Sequence, residues 1–131
     1  MSERFVAPPL RVTVVGPCAS GKSTLVRALR MHGYDARATA QEHSAVADLW
    51  RRSEPDVLIA LQASLESVRA RRRNPRWSKS IWAAQQHRLE DAVEHADLIA
   101  DTSARSVNDV VADVLEFLAD RSRPFGRHDL G

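Results

Sequence analysis

The sequence predicts an α/β domain built on a short, mostly parallel sheet with helices on both faces. Three observations carry that expectation. Residues 11–15, RVTVV, are a β-branched run that stops at Gly16. Residues 56–61, DVLIAL, are almost continuously apolar, as in a strand buried on both faces of a parallel sheet. Val107, Val110, Val111, Val114, Leu115 and Leu118 recur at helical spacing. Strand patterns therefore alternate with helical ones, which implies α/β crossovers.

The elements follow in order. After the first strand, Leu25, Val26 and Leu29 mark one face of a helix starting near Lys22, with Gly33 as its C-terminal cap. Residues 34–41, YDARATAQ, alternate weakly and read as a second strand, although alanine is a poor strand former. Residues 44–52 look like a short helix that must stop before Pro55. The apolar strand 56–61 leads to a basic helix beginning near Ser64 and broken at Asn74-Pro75. A longer helix, 80–95, places Trp82, Leu89, Val93 and Ala96 near one face. Residues 97–101, DLIAD, form the last strand, and Ser106 with Asp109 resembles a capping box before the final helix.

The 131 residues suffice for one compact domain, and no repeat or linker divides them. Residues 1–9 and 122–131 lack periodicity and read as flexible tails. No apolar run approaches the ~20 residues a membrane span needs, and MSERFVAPPL has no secretory pattern. The single cysteine cannot form an internal disulfide, which fits a reducing, cytoplasmic setting. Net charge is only +2, so the chain as a whole is not a polyanion binder. Lysine occurs only at Lys22 and Lys79, and residues 69–79, RARRRNPRWSK, concentrate six basic residues without an acid.

Residues 16–23, Gly16-Pro17-Cys18-Ala19-Ser20-Gly21-Lys22-Ser23, match the Walker A pattern GxxxxGK[ST], and Thr24 follows. Each residue type has a physical task. Gly16 and Gly21 admit backbone angles that let successive N–H groups turn inward around an anion. The helix starting near Lys22 adds its positive dipole end. The lysine puts a flexible cation on the β- and γ-phosphates of a nucleoside triphosphate, and the Ser23 hydroxyl is the expected Mg²⁺ ligand. Four constrained positions match by accident in well under about 1% of chains this long. The strand before and helix after make accident rarer still.

The chain resembles the kinase branch of P-loop proteins, which includes shikimate, gluconate, adenylate and deoxynucleoside kinases. The resemblance rests on GPCASGKST, on DVLIALQASLESVRARRR and on EHADLIADTSARSVNDVVADVLEFL, well over half the chain. The first segment is specific; the other two are likenesses of composition. The resemblance implies a P-loop three-layer sandwich with about four strands in the order 2-1-3-4. It implies ATP and Mg²⁺ as ligands and an arginine-rich lid helix. Arg69, Arg71, Arg72, Arg73 and Arg76 then include the lid arginines, with Arg72 and Arg73 the candidates for neutralising the transferred phosphoryl group. Helical spacing puts Arg69, Arg72, Arg73 and Arg76 near one face and turns Arg71 away. A solvated basic face or an RNA-contact patch is the bland alternative.

The accompanying acid is less obvious. Strand 56–61 leads into Gln62 with no carboxylate where a Walker B acid would stand, which argues against motor ATPases. The second strand instead ends in Gln41-Glu42-His43. By resemblance, Glu42 is either a base toward an acceptor hydroxyl, with Trp50 matching the tryptophan of deoxynucleoside kinases, or a Mg²⁺-holding acid as in shikimate-type kinases. His43 is a neighbour able to share or tune the proton. The alternative is an ordinary polar loop. Thr102 and Ser103 fall near the adenine by the same resemblance, while Asp101 equally suits a turn. Trp77 and Trp82 flank the lid, where helix packing is commoner than base stacking. Cys18 sits where positive potential can lower a thiol pKa, although variable loop positions more often carry no chemistry.

Only about 15 residues, 41–55, separate the second strand from the third, so the acceptor-binding insertion of small-molecule kinases is missing. The acceptor is then small or bound at a dimer interface, or it is a macromolecular end, or there is none. The leading expectation is an ATP–Mg²⁺-dependent phosphotransferase acting on an unidentified small molecule, nucleoside or nucleotide, working through Lys22, Ser23, Glu42 and a lid arginine. The alternative is a nucleotide-binding switch or accessory ATPase. An RNA role is weaker, because the small net charge and sparse aromatics argue against a large nucleic-acid footprint. A sheet this small would gain from a second copy of the chain. Adenine is favoured over guanine because no N/TKxD-type signature follows the third strand.

Overall fold

The computed structural model describes residues 8–121; the two tails expected to be flexible lie outside the described residues, apart from positions 8 and 9. Four strands, β1 (Arg11–Val15), β2 (Asp35–Ala38), β3 (Val57–Gln62) and β4 (Leu98–Asp101), form one sheet in the order β2-β1-β3-β4. All three pairings are parallel, with Val12 opposite both Ala36 and Val57, and Ala60 opposite Ile99. The helices are α1 (Lys22–Met31), α2 (Leu65–Arg71), α3 (Lys79–His95) and α4 (Val107–Arg121). Parallel pairing forces each connection to cross over the sheet, so every strand ends at the same edge.

The apolar run of β3 is buried on both faces, as its composition demands. Val57, Ile59 and Leu61 join Val12, Val14, Leu25, Leu29, Val110, Val114 and Leu118 beneath α1 and α4. Leu58 and Ala60 point the other way, to Val15, Trp50 and the α3 residues Leu89 and Ala92. Thr13 lies buried among the apolar strand residues, where its hydroxyl meets Ser53 Oγ at 2.5 Å; that hydroxyl donates to Trp50 O at 2.8 Å. Helix ends follow the expected chemistry. Gly33, at φ +89°, closes α1 while Tyr34 N donates back to Leu29 O. Ser64, Ser78 and Ser106 cap α2, α3 and α4 by accepting from Ser67, Ile81 and Asp109 N–H groups.

Two elements differ from expectation. The second strand is only four residues long, and no α-helix forms over 44–52; the chain instead makes 3₁₀ turns at Gln41–His43 and Leu49–Ser53. Gln41 is the cause. Its buried amide donates to Val46 O and accepts from Trp50 N, so one side chain replaces the backbone ladder of a helix. Trp50 is thereby set into the core, where its indole N–H donates to Asp91 Oδ2 at 2.8 Å. The basic helix also stops early. Arg73 takes a left-handed conformation (φ +54°) and Asn74 N returns to Arg69 O, so residues 72–76 are not helical.

Leu29, fully buried between α1 and the sheet, tests this core. Leu29→Ala is expected to lower unfolding free energy by about 2–5 kcal/mol in urea titrations. Met31→Ala, two residues on and 80% exposed, should stay within about 0.5 kcal/mol of the parent.

Candidate functional site

The loop from Gly16 to Gly21 leaves the end of β1 and feeds α1, at the sheet edge where ligands of open parallel sheets bind. Its glycines have different reasons. Gly21 adopts φ +95°, which a side chain resists. Gly16 needs space rather than a special angle: a Cβ there would lie 2.7 Å from Ser20 Oγ and 3.1 Å from Leu61 O. Ala19, not glycine, takes the second left-handed position at φ +60°. The first intrahelical bond of α1 runs from Leu25 N to Gly21 O at 3.0 Å, so the N–H groups that precede it are the ones a helix start leaves without an intrahelical acceptor. A cavity of about 260 Å³ lies along Ala19, Ser20, Gly21, Lys22, Ser23 and Thr24. Ser23 and Thr24 are exposed to it, and Ser20 Oγ is buried with no partner.

Lys22 folds back over the loop. Its ammonium donates to Gly16 O at 2.6 Å, to Pro17 O at 3.2 Å and to Glu42 Oε2 at 2.5 Å. Both partners of the ion pair are largely buried, with side chains 14% and 5% exposed. Glu42 arrives on the 3₁₀ turn after β2, and Arg88 of α3 donates to its backbone carbonyl at 3.1 Å. Its second oxygen, Oε1, is buried and unpartnered. Glu42 therefore stands beside the loop. Trp50 does not accompany it, because its ring belongs to the core under α3.

The arginine cluster divides. Arg71, which helical spacing separates from the others, is the one that reaches the loop: its guanidinium donates to Ala19 O at 3.0 Å, Thr102 Oγ1 at 3.2 Å and Thr102 O at 2.5 Å. Thr102 is buried and its hydroxyl also donates to Gln62 O, so it braces the loop after β4. Arg72 stacks over Trp77 at 4.0 Å from the ring centroid, and Arg69 Nε donates to Trp77 O. Arg73 and Arg76 are exposed beyond the helix end. The single-face arrangement expected for Arg69, Arg72, Arg73 and Arg76 fails because the helix ends at Arg71. Trp82 packs with its indole N–H on Ala63 O.

Sequence reasoning missed Gln85 and Arg88. Gln85 is buried, donates to Cys18 Sγ at 3.2 Å and accepts from Cys18 N at 3.0 Å. A polar residue in line with Leu89 and Ala92 on the buried stripe of α3 was the available signal. Cys18 Sγ also lies 3.7 Å from His43 Nε2. Asp101 makes the turn that its alternative reading foresaw. Hydrogen bonds from the Ser103 hydroxyl and backbone N–H hold its carboxyl below the usual range. The stabilisation this gives is complete above the unfolded-state value and is lost as pH falls through the lowered folded one.

No protein-family model matches the sequence, and no curated protein matches it either. Among the described residues, no helix is long and apolar enough to cross a membrane.

The buried pair makes a quantitative prediction that needs no nucleotide. Lys22→Met strands the Glu42 carboxylate and should cost about 3–5 kcal/mol in urea unfolding. Lys22→Met with Glu42→Gln should recover most of that loss, giving a large coupling energy in the double-mutant cycle. Additive effects would mean that the two side chains do not support one another.

Proposed function

We propose that the chain is an ATP–Mg²⁺-dependent phosphotransferase of the P-loop kinase kind. One observation carries the reading: Lys22 is gathered into the 16–21 loop at the carboxyl edge of a parallel sheet, with a buried carboxylate, Glu42, at its ammonium. The residues present fit a triphosphate and its metal. The loop leaves a buried Ser20 hydroxyl and a Glu42 oxygen without partners, beside the exposed hydroxyl of Ser23.

In this reading the 16–24 segment holds the phosphates through its N–H groups and the helix start. Lys22 turns from the Gly16 and Pro17 carbonyls toward the β- and γ-phosphates. Mg²⁺, held through Ser23 with Glu42 behind it, supplies charge neutralisation when bound. Once Lys22 has turned, the Glu42 carboxylate would be available for one of its two alternative roles, base toward the acceptor hydroxyl or metal-holding acid. Arg71 fixes the loop after β4 against the phosphate loop. Arg72 and Arg73 lie past the helix end and are the arginines left to swing over a bound triphosphate, with Arg69 and Arg76 flanking them. Thr102 braces the nucleotide side from below.

The test is ADP release from ATP–Mg²⁺, with and without pools of nucleosides, sugars, hydroxy acids and short RNA ends. Stimulation by one pool is the expected result. Basal release unchanged by every pool would favour the nucleotide switch instead. Lys22→Ala should abolish the thermal shift given by ATP–Mg²⁺, and Glu42→Gln should keep that shift while cutting turnover by about 10² or more. An undiminished shift in Lys22→Ala would remove the phosphate-loop reading altogether.

A further inference from the structure

Glu42 also belongs to a second constellation, whose other two members, Cys18 and His43, the proposed phosphoryl transfer does not use. Cys18 Sγ, His43 Nε2 and a Glu42 carboxylate oxygen all lie within 4.8 Å of one another. They come from the loop after β1 and the turn after β2, so adjacent parallel strands deliver them to the same edge. We infer that Cys18, Glu42 and His43 form a site for a thiophilic divalent metal ion of the zinc class, with a fourth position open to water.

Geometry supports the assignment first. Metal–sulfur and metal–nitrogen bonds of about 2.3 and 2.0–2.1 Å at a tetrahedral angle put the two donor atoms about 3.6 Å apart. Cys18 Sγ and His43 Nε2 are 3.7 Å apart. The corresponding nitrogen–oxygen edge is about 3.4 Å, and His43 Nε2 stands 3.8 Å from Glu42 Oε2. Small side-chain rotations close the remainder, and the His43 ring, which is exposed, is free to make them.

The donor set and its surroundings point the same way. Thiolate, imidazole and carboxylate suit zinc, whereas magnesium avoids sulfur and nitrogen. Glu42 Oε2, the oxygen on the His43 side, is the one placed to ligate and would share itself between the cation and Lys22; Oε1 beside it is buried with no hydrogen-bond partner. Gln85 donates its amide N–H to Cys18 Sγ and anchors Cys18 N, the kind of outer contact that orients a metal-bound thiolate. On binding, Cys18 yields its proton to solvent; thiolate, carboxylate, the Lys22 ammonium and the dication then sum to one positive charge, so the thiolate–metal bond has to carry the affinity. The Lys22 ammonium on Oε2 and the Arg88 guanidinium on the Glu42 carbonyl oppose the cation, which would share the one Glu42 charge with Lys22. The other cluster, Asp91, Glu94 and His95, lacks sulfur, and its His95 Nδ1 bonds Asp91 O.

The site exists without nucleotide and does not rest on the phosphotransferase reading, so its test uses neither ATP nor activity. Untagged, reduced protein is titrated with Zn²⁺ against a chromophoric chelator, and separately with Co²⁺. The expected result is one equivalent of Zn²⁺ bound, and a near-ultraviolet thiolate-to-cobalt charge-transfer band. Cys18→Ser should abolish the band. Cys18→Ser and His43→Ala should each weaken Zn²⁺ by at least the ~10–100-fold that even outer-sphere partners are worth. His95→Ala should leave the affinity unchanged. The proposal is overturned if Cys18→Ser binds as the parent does, if loss follows His95→Ala instead, or if Co²⁺ binds without the band. Should a variant fail to retain the parent's circular dichroism, the Co²⁺ spectrum of the parent chain decides alone.

Discussion

The candidate site is organised around one ammonium group. Lys22 Nζ has three protons and spends them on Gly16 O, Pro17 O and Glu42 Oε2, so its donor capacity is filled. Those three contacts tie the start of the loop, its second residue and the turn after β2 into one body. A buried ion pair of this kind adds little net stability, because desolvation offsets the attraction, yet losing one partner is costly. Its consequence is therefore positional. It fixes where the loop runs and holds the only buried acid of the chain's described residues at the ligand edge.

The sheet makes that arrangement reachable. With all strands parallel, β1 delivers the loop, β2 delivers Glu42 and His43, β3 delivers Gln62 and Ala63, and β4 delivers Thr102, all at one edge. Helix α3 passes along that edge, and its Gln85 and Arg88 reach Cys18 and the Glu42 carbonyl. Burial of β3 on both faces is what permits helices on both sides and hence this convergence.

The strands, the four helices and their order were legible because burial leaves a direct mark on sequence. A strand enclosed on both faces must be apolar throughout, as 57–62 nearly is, and a helix on one face must be periodic, as 107–118 is. The loop was legible because backbone curvature and lysine placement restrict residue type. What escaped depended on long-range contacts. Nothing local reveals that the Gln41 amide will replace a helix over 44–52, since its partners lie five and nine residues away. The single-face placement of Arg69, Arg72, Arg73 and Arg76 failed for a related reason. Periodicity assumes an unbroken helix, and Arg73 is not a residue type that announces a left-handed stop.

That failure separates two electrostatic roles that the arginine count alone merges. Arg71 and Arg88 are already fixed on carbonyls at the loop and at Glu42, so they supply positive potential that an arriving anion meets without ordering anything. Exposed Arg73 and Arg76 would each lose up to about 1.5–2 kcal/mol of side-chain freedom on closing over a ligand. Arg72 would in addition leave its stacking on Trp77, worth about 0.5–1 kcal/mol at an exposed site. Fixed charge of this sort costs no reorganisation when an anion arrives, whereas recruited charge must first offset the ordering of its side chain. In the proposed phosphotransferase, Arg71 and Arg88 would therefore act at no ordering cost, and the residues beyond the end of α2 would first have to offset theirs.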